Sequence, residues 1–394
     1  MREVKDSGIE WAQNIPATWS VMPNKYLMHK VKNICPIYAG EDILSLTMQG
    51  VIIRDLDTGG KMPASFNGYQ LLTPGNLLMC LFDYDVTPRC IGLIKNEGVT
   101  SPAYSQFTVT QIADARYYYY YYLMLDTTKE LLHLAKNLRH SFTENQLGEI
   151  KAPVPPIAEQ KAIADLLDFR CSEIDSLSAD IQKQIDILNQ YKQSVITEAV
   201  TKGLDKNAEM KDSGVEWIGE IPKDWSVIPV KYCFRIGNGS DPITDDGNTP
   251  VYGSGSKSFK MCREFKKGPT VLLGRKGTVN IPQWIEGNYW NVDTAFDVKC
   301  KNSYPLRLLY YDACCFDYDN YSTQTALPSM TQSNYNNFRI PLCDISEQLQ
   351  IVDYLNDKCS RINSVISDKQ KQLDKLAEYK KSLIYEYVTG KKVI

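Results

Sequence analysis

Histidine is scarce in this chain: His29, His133 and His140 are the three among 394 residues. They are widely dispersed, which argues against a histidine-based triad or metal site. The eleven cysteines include no C-x-x-C pair, so zinc-ribbon spacing is missing. Their odd number reads as reduced, cytosolic thiols, and a cytoplasmic location is expected. Phosphate-cradling loops are lacking too: the nearest string, GRKGT at 274–278, does not have the G-x-x-x-x-G-K-[ST] spacing. No G-x-G-x-x-G follows a strand, and no NPPY- or DPPY-like string is present to grip an amino group for methylation. E-x-K triplets at 149–151, 209–211 and 378–380 are scattered and read as background. No apolar run approaches the ~18 residues needed to span a membrane, and the opening MREVKDSGIEW is too charged for a signal peptide. No membrane partner is expected. Charge of one sign is also lacking, with 44 basic against 47 acidic residues. Any nucleic-acid contact must therefore come from local patches. Together these absences point to a non-catalytic recognition protein with no catalytic residue, no metal and no cofactor of its own.

What the chain does have is a duplication. KDSGIEWAQNIPATWSVMPNKY at 5–26 and KDSGVEWIGEIPKDWSVIPVKY at 211–232 share 14 of 22 positions at an offset of 206. Residues 159–201 and 347–389 share 22 of 43 at an offset of 188. The chain is thus a Trp-containing lead, a variable insert and a helical end, given twice. The two inserts, about 27–150 and 233–338, resemble each other little. Something holds the frames alike while their contents differ.

The helical ends carry heptads. A short helix over 157–169 is expected after Pro153, Pro155 and Pro156, then a second from about 172 to 201. Ile174, Ile181, Leu188 and Val195 recur every seven residues, with Leu177 and Tyr191 at the alternate seam positions and Gln184 interrupting them. In the second copy Ile362, Leu376 and Leu383 occupy the first position, Lys369 breaks one layer, and Val365 and Tyr379 take the alternate one. An isolated helix with a polar layer needs a partner, and each copy has one in the other. The expectation is an antiparallel coiled coil within one chain.

Both inserts read as α+β, with strand-like runs such as LLTPGNLLMCLF (71–82) and GPTVLLGRKGTVNIP (268–282). ARYYYYYYLML (115–125) is a helix or a buried strand, since six consecutive tyrosines hide the period. The 25 tyrosines suggest surfaces that bind something. From 257 to 276, seven basic residues face Glu264 alone: Lys257, Lys260, Arg263, Lys266, Lys267, Arg275 and Lys276. Phe259, Phe265 and Trp284 are among the aromatics that flank them. Basic side chains supply phosphate contacts, and polar neighbours can reach base edges. The expected DNA contacts are Lys257, Lys260, Lys266, Lys267, Arg275 and Lys276 in the second insert. A weaker patch in the first comprises Arg54, Lys61, Arg89 and Lys95.

The arrangement resembles the DNA specificity (S) subunit of type I restriction–modification systems. The two leads, VPPIAEQKAIADLLD and PLCDISEQLQIVDYLN carry the resemblance, as do GVTSPAYSQF (98–107), GRKGTVNIPQW (274–284) and TALPSM (325–330). Ser101 and Tyr104 join the expected DNA contacts through the SPAY segment. The resemblance implies two target-recognition domains, 1–152 (lead 1–26) and 211–340, separated by conserved long-helix regions at 153–210 and 341–394, with an internal pseudo-two-fold repeat. It implies a bipartite, asymmetric double-stranded DNA target. It further implies docking of two methyltransferase subunits and of restriction subunits, which would carry S-adenosylmethionine, ATP and Mg. The whole complex would be an adenine-N6 methyltransferase and ATP-dependent endonuclease. Two other readings use the same features: an unrecognised nuclease, and a coiled-coil adaptor that binds only protein.

Overall fold

The computed structural model describes residues 2–56, 63–135, 139–323 and 327–394. The chain divides into two compact units, Met1–Asp180 with Lys371–Ile394, and Ile181–Gln370. Each mixes helices and mainly antiparallel sheet, with its own apolar core; in the second unit Thr249–Tyr252 and Asn288–Asn291 pair in parallel. The unit boundaries, after Asp180 and after Gln370, fall inside the two long helices.

In the first unit the lead forms a hairpin, Val4–Asp6 against Asn14–Pro16. Its next strand, Ser20–Pro23, pairs antiparallel with Lys151–Val154, directly before the first long helix. The two ends of the insert are therefore neighbours in one ladder. Between them lies a four-stranded antiparallel sheet in the order Met28–Val31, Ser105–Val109, Leu77–Met79, Ile91–Leu93.

The residues shared by the two copies explain the closure. Trp19 is fully buried, and its indole N–H donates to Glu159 at 3.0 Å. Arg2 also donates to Glu159, at 2.9 Å, and this bond holds the carboxyl below its usual range against the opposing effect of burial. Gln160 donates to the carbonyls of Pro155 and Ile112 and accepts from the Asp114 amide, so one amide ties helix, turn and insert together. The second unit uses the same chemistry. Ser226–Pro229 pairs with Arg339–Leu342, Trp225 donates to Glu347 at 2.9 Å, and Gln348 donates to the Cys343 carbonyl at 2.7 Å.

Each tryptophan also packs on a glycine. A Cβ at Gly390 would sit 2.4 Å from Pro16 and 2.8 Å from Trp19; one at Gly203 would sit 3.0 Å from Trp225 and Glu347. Both glycines have φ +71°, the left-handed region that ends a helix. They therefore end their helices and also let the lead approach.

Three expectations are corrected. The helices do not break near 170: Ile157–Lys202 is one helix, as is Ile345–Val388, because no Gly or Pro interrupts either. Second, the alternate seam positions are misplaced by one residue. Leu177, Tyr191, Val365 and Tyr379 are exposed, each by 45% or more. The sheltered residues run Cys171, Ile174, Ser178, Ile181, Ile185, Leu188, Lys192, Val195. On the second helix Cys359, Ile362, Ile366, Lys369, Leu373, Leu376, Lys380 and Leu383 are buried or half-buried. Positions i+3 and i+4 both neighbour residue i on a helix, and here the polar Ser178 is half-buried while the apolar Leu177 is exposed. Third, the tyrosines of 117–122 do not form a surface: their run is the helix Ala115–Thr128, one of the two forms expected, and most of it is internal. Asp114 caps it through the amides of Arg116 and Tyr117. The hydroxyls of Tyr117, Tyr118 and Tyr120 donate to Val388, Pro153 and Asp168, and Tyr121 accepts from Trp11. These tyrosines bind the frame of their own unit; they are not a docking surface.

Among the described residues no helix is long and apolar enough to cross a membrane.

Candidate nucleic-acid interface

The second unit holds the stronger basic segment. It carries a second sheet in the order Lys260–Cys262, Thr249–Tyr252, Asn288–Asn291, Lys266–Lys267. Segment 257–267 therefore runs from one edge strand of this sheet to the other. From Phe259 to Lys267 its side chains alternate between exposed and sheltered, as in an extended chain. Cys262 is buried, and Lys260, Glu264 and Lys266 are half-buried; Lys257, Phe259, Met261, Arg263, Phe265 and Lys267 are exposed.

That alternation separates the expected phosphate contacts. The Lys266 ammonium lies 3.1 Å from the Asp297 carboxylate, which is almost fully buried, and donates to Asn291 at 2.8 Å. Tyr289 donates to the same carboxylate at 3.0 Å. Lys266 is thus a tie within the fold. Lys260 pairs with Asp245 at 3.0 Å, and Arg263 pairs with Asp246. The excess of seven cations over Glu264 is therefore partly offset by a loop 15 to 17 residues upstream. Lys257 and Lys267 have no acidic partner within ion-pair distance among the described residues.

Glu264 anchors that upstream loop. It accepts the Ile243 and Thr244 amides and the Thr244 hydroxyl, the last at 2.7 Å. These bonds, the hydroxyl's above all, hold its carboxyl below the usual range. Ile243 is left 93% exposed.

Arg275 and Lys276 lie on the tight turn 274–278, where a Cβ on Gly274 would meet the Thr278 carbonyl at 2.3 Å. Arg275 donates to the Asp293 carbonyl at 3.3 Å, and both basic residues line a cavity of about 290 Å³ with Asn238, Ser329 and Gln332. Contacts join this turn to segment 257–267. The Arg275 amide donates to the Thr294 carbonyl, and Gly253 sits against both the Thr294 hydroxyl and the Phe259 ring.

In the first unit the expected residues that are described lie on several separate turns and strand ends. Lys61 lies outside the described residues. Arg89 donates to the Met48 carbonyl at 2.8 Å on the wall of a cavity of about 1000 Å³, with Trp11, Tyr119 and Lys380. Lys95 is exposed beside a separate cavity lined by Pro74, Asp114 and Arg116. Arg54 is half-buried at the end of the strand Gly50–Ile53. Ser101 and Tyr104 form a turn whose carbonyls accept the Gln70 side-chain amide at 3.0 and 2.7 Å. Tyr104 packs on Phe82 with ring centroids 6.1 Å apart, and burial pushes its hydroxyl pKa up.

Arg263, Met261 and Ile243, which lie outside the expected contacts, are exposed on this segment and its adjoining loop; for the first two the sequence holds a signal, since the odd-numbered residues from 257 to 267 read K-F-M-R-F-K. Among the described residues no group of three or more His, Cys, Asp or Glu is placed to hold a metal.

No family model matches the chain. It is 27% identical over 285 residues, 64% of its length, to a provisionally named MjaX type I restriction enzyme specificity subunit of Methanocaldococcus jannaschii. It is 41% identical over 90 residues, 23% of its length, to the type I restriction enzyme MjaVIII specificity subunit of the same organism. The aligned stretches span 61% and 20% of those relatives. In fold, a chain from a structural study of complex assembly and conformational transition of the type I R-M system matches at TM-score 0.69 and 12% identity, covering 95% of this chain and 98% of that one. In sequence, then, this chain is similar to type I restriction enzyme specificity subunits, and in fold it is similar to a chain of a type I R-M system.

Proposed function

We propose that the chain is the non-catalytic DNA specificity subunit of a type I restriction–modification assembly. Each insert reads one half of a bipartite, asymmetric duplex target. The frame docks two methyltransferase subunits, one per repeat, and the restriction subunits. Those partners carry S-adenosylmethionine, ATP and Mg and perform adenine-N6 methylation and ATP-driven cleavage.

One observation carries this reading. Each insert leaves and re-enters its frame through two adjacent antiparallel strands, Ser20–Pro23 with Lys151–Val154 and Ser226–Pro229 with Arg339–Leu342. Such closure lets a recognition module vary without disturbing the Trp–Glu and Gln contacts beneath it. The DNA specificity role is further supported by the names of the relatives.

The long helices act as a spacer paired as an antiparallel coiled coil. Within the second unit Gln184 meets Lys369 and Lys192 meets Asn363, so partners rise along one helix as they fall along the other. Within the first unit Lys380 meets Asp175 at 2.6 Å. These contacts, with the 3–4 spacing of sheltered residues, support the pairing. Repeated leads and helical ends support an internal pseudo-two-fold.

Replacing residues 27–150 by the corresponding insert of a relative tests the proposal. The complex with methyltransferase subunits should then methylate a target changed in one half only. A change in both halves, or methylation without sequence preference, would refute it.

A further inference from the structure

The exposed side of segment 257–267 has a composition that the DNA reading alone does not require. Phe259 is 60% exposed, Phe265 61% and Met261 41%. Scattered exposed apolar residues are ordinary. These three sit on alternate positions of one extended segment, next to the nearly bare Ile243 on a loop that Glu264 fastens through three hydrogen bonds. The fold therefore holds apolar side chains in water and spends a half-buried carboxylate to keep the loop in place. Lys257 and Lys267 stand at the two ends of the run, without, among the described residues, the acidic partners that Lys260, Arg263 and Lys266 have. A mainly apolar centre, whose one exposed cation Arg263 is paired with Asp246, with cations at both ends suits a ligand whose charge lies on its flanks and whose middle is apolar. A duplex groove is such a ligand, with phosphates along both edges and base faces or thymine methyls between.

We propose that this surface divides the work of the second unit in two, resting on the DNA specificity reading above. Lys257 and Lys267 hold phosphates and contribute affinity to every duplex. Phe259, Met261, Phe265 and Ile243 press on bases and determine which half-site is read. Lys266 takes no part, because its ammonium is engaged with Asp297 and Asn291.

The test uses the full chain with its methyltransferase subunits and a library of duplexes whose central positions are randomised. Bound duplexes are sequenced, and selected and unselected duplexes are then titrated at several salt concentrations. Phe259→Ala with Phe265→Ala should abolish the consensus of one half-site and keep the other. Discrimination at that half should fall by on the order of tenfold to a hundredfold, with the salt slope unchanged. Lys257→Ala with Lys267→Ala should keep both consensus halves, weaken all duplexes together and reduce the slope by about 0.9 per lysine. A wild-type consensus from the phenylalanine variant, or a uniform loss of affinity, would overturn the inference. So would an unchanged salt slope in the lysine variant. If the wild-type complex selects no consensus at all, the specificity reading itself fails and the inference falls with it.

Discussion

Lys266 and Lys267 are adjacent in sequence and identical in charge, yet replacing each by alanine should act on different properties. Lys266 neutralises Asp297, whose carboxylate is 4% exposed, across 3.1 Å. At an effective dielectric of 20, two unit charges at that distance attract by about 5 kcal/mol. The ammonium is about a quarter exposed, so water screens the pair and a cost of roughly 2–3 kcal/mol is the better expectation. Tyr289 remains as a single neutral donor to the stranded carboxylate. In a unit of this size, each kcal/mol shifts the melting temperature by roughly 2–4 °C. Lys266→Ala should therefore lower the melting of the second unit by about 5–10 °C. Lys267→Ala should stay within about 0.5 kcal/mol of wild type and instead lower the salt slope of duplex binding by about 0.9. Differential scanning calorimetry and a salt series of gel shifts read both variants. Equal melting temperatures for the two would refute the assignment of Lys266 to the fold.

Other expectations follow from the frame and the core. Gly390→Ala forces a Cβ against Pro16 and Trp19 in a left-handed conformation and should destabilise the first unit by about 2–3 kcal/mol, measured by urea unfolding. Gly203→Ala should cost less, since its neighbours lie at 3.0 Å. Burial raises the Asp312 carboxyl pKa to about 8, with the Tyr304 hydrogen bond opposing. Its folded pKa exceeds its unfolded one, so its contribution to stability is full below about pH 4 and is lost as pH rises toward 8. Asp312→Asn should flatten that slope in melts taken from pH 4 to 8. Finally, adding one heptad to both long helices lengthens the proposed spacer by about 10 Å, roughly three base pairs. Methylation should move to a longer spacing or stop; unchanged methylation at the original spacing would show that these helices do not set the distance.

The amino-acid sequence by itself determined the duplication, the α+β inserts and the helical ends. It also contained the Trp and Glu-Gln positions of each frame, since identical contacts conserved within one chain leave identical residues at fixed offsets. Ile174, Ile181, Leu188 and Val195 announced one seam position, because a seven-residue period is a local property of a helix. The tertiary structure alone decided what lies across from a residue. Period gives a face, and i+3 and i+4 share it, so Ser178 and Ile185 rather than Leu177 and Gln184 were found sheltered. Six consecutive tyrosines carry no period, and their frame partners Pro153, Asp168 and Val388 lie 35 to 271 residues away. Charge counting treated every cation of 257–276 as free. Asp245, Asp246 and Asp297 reach Lys260, Arg263 and Lys266 only once the sheet is folded, and an ion pair depends on distance in space, not on distance along the chain.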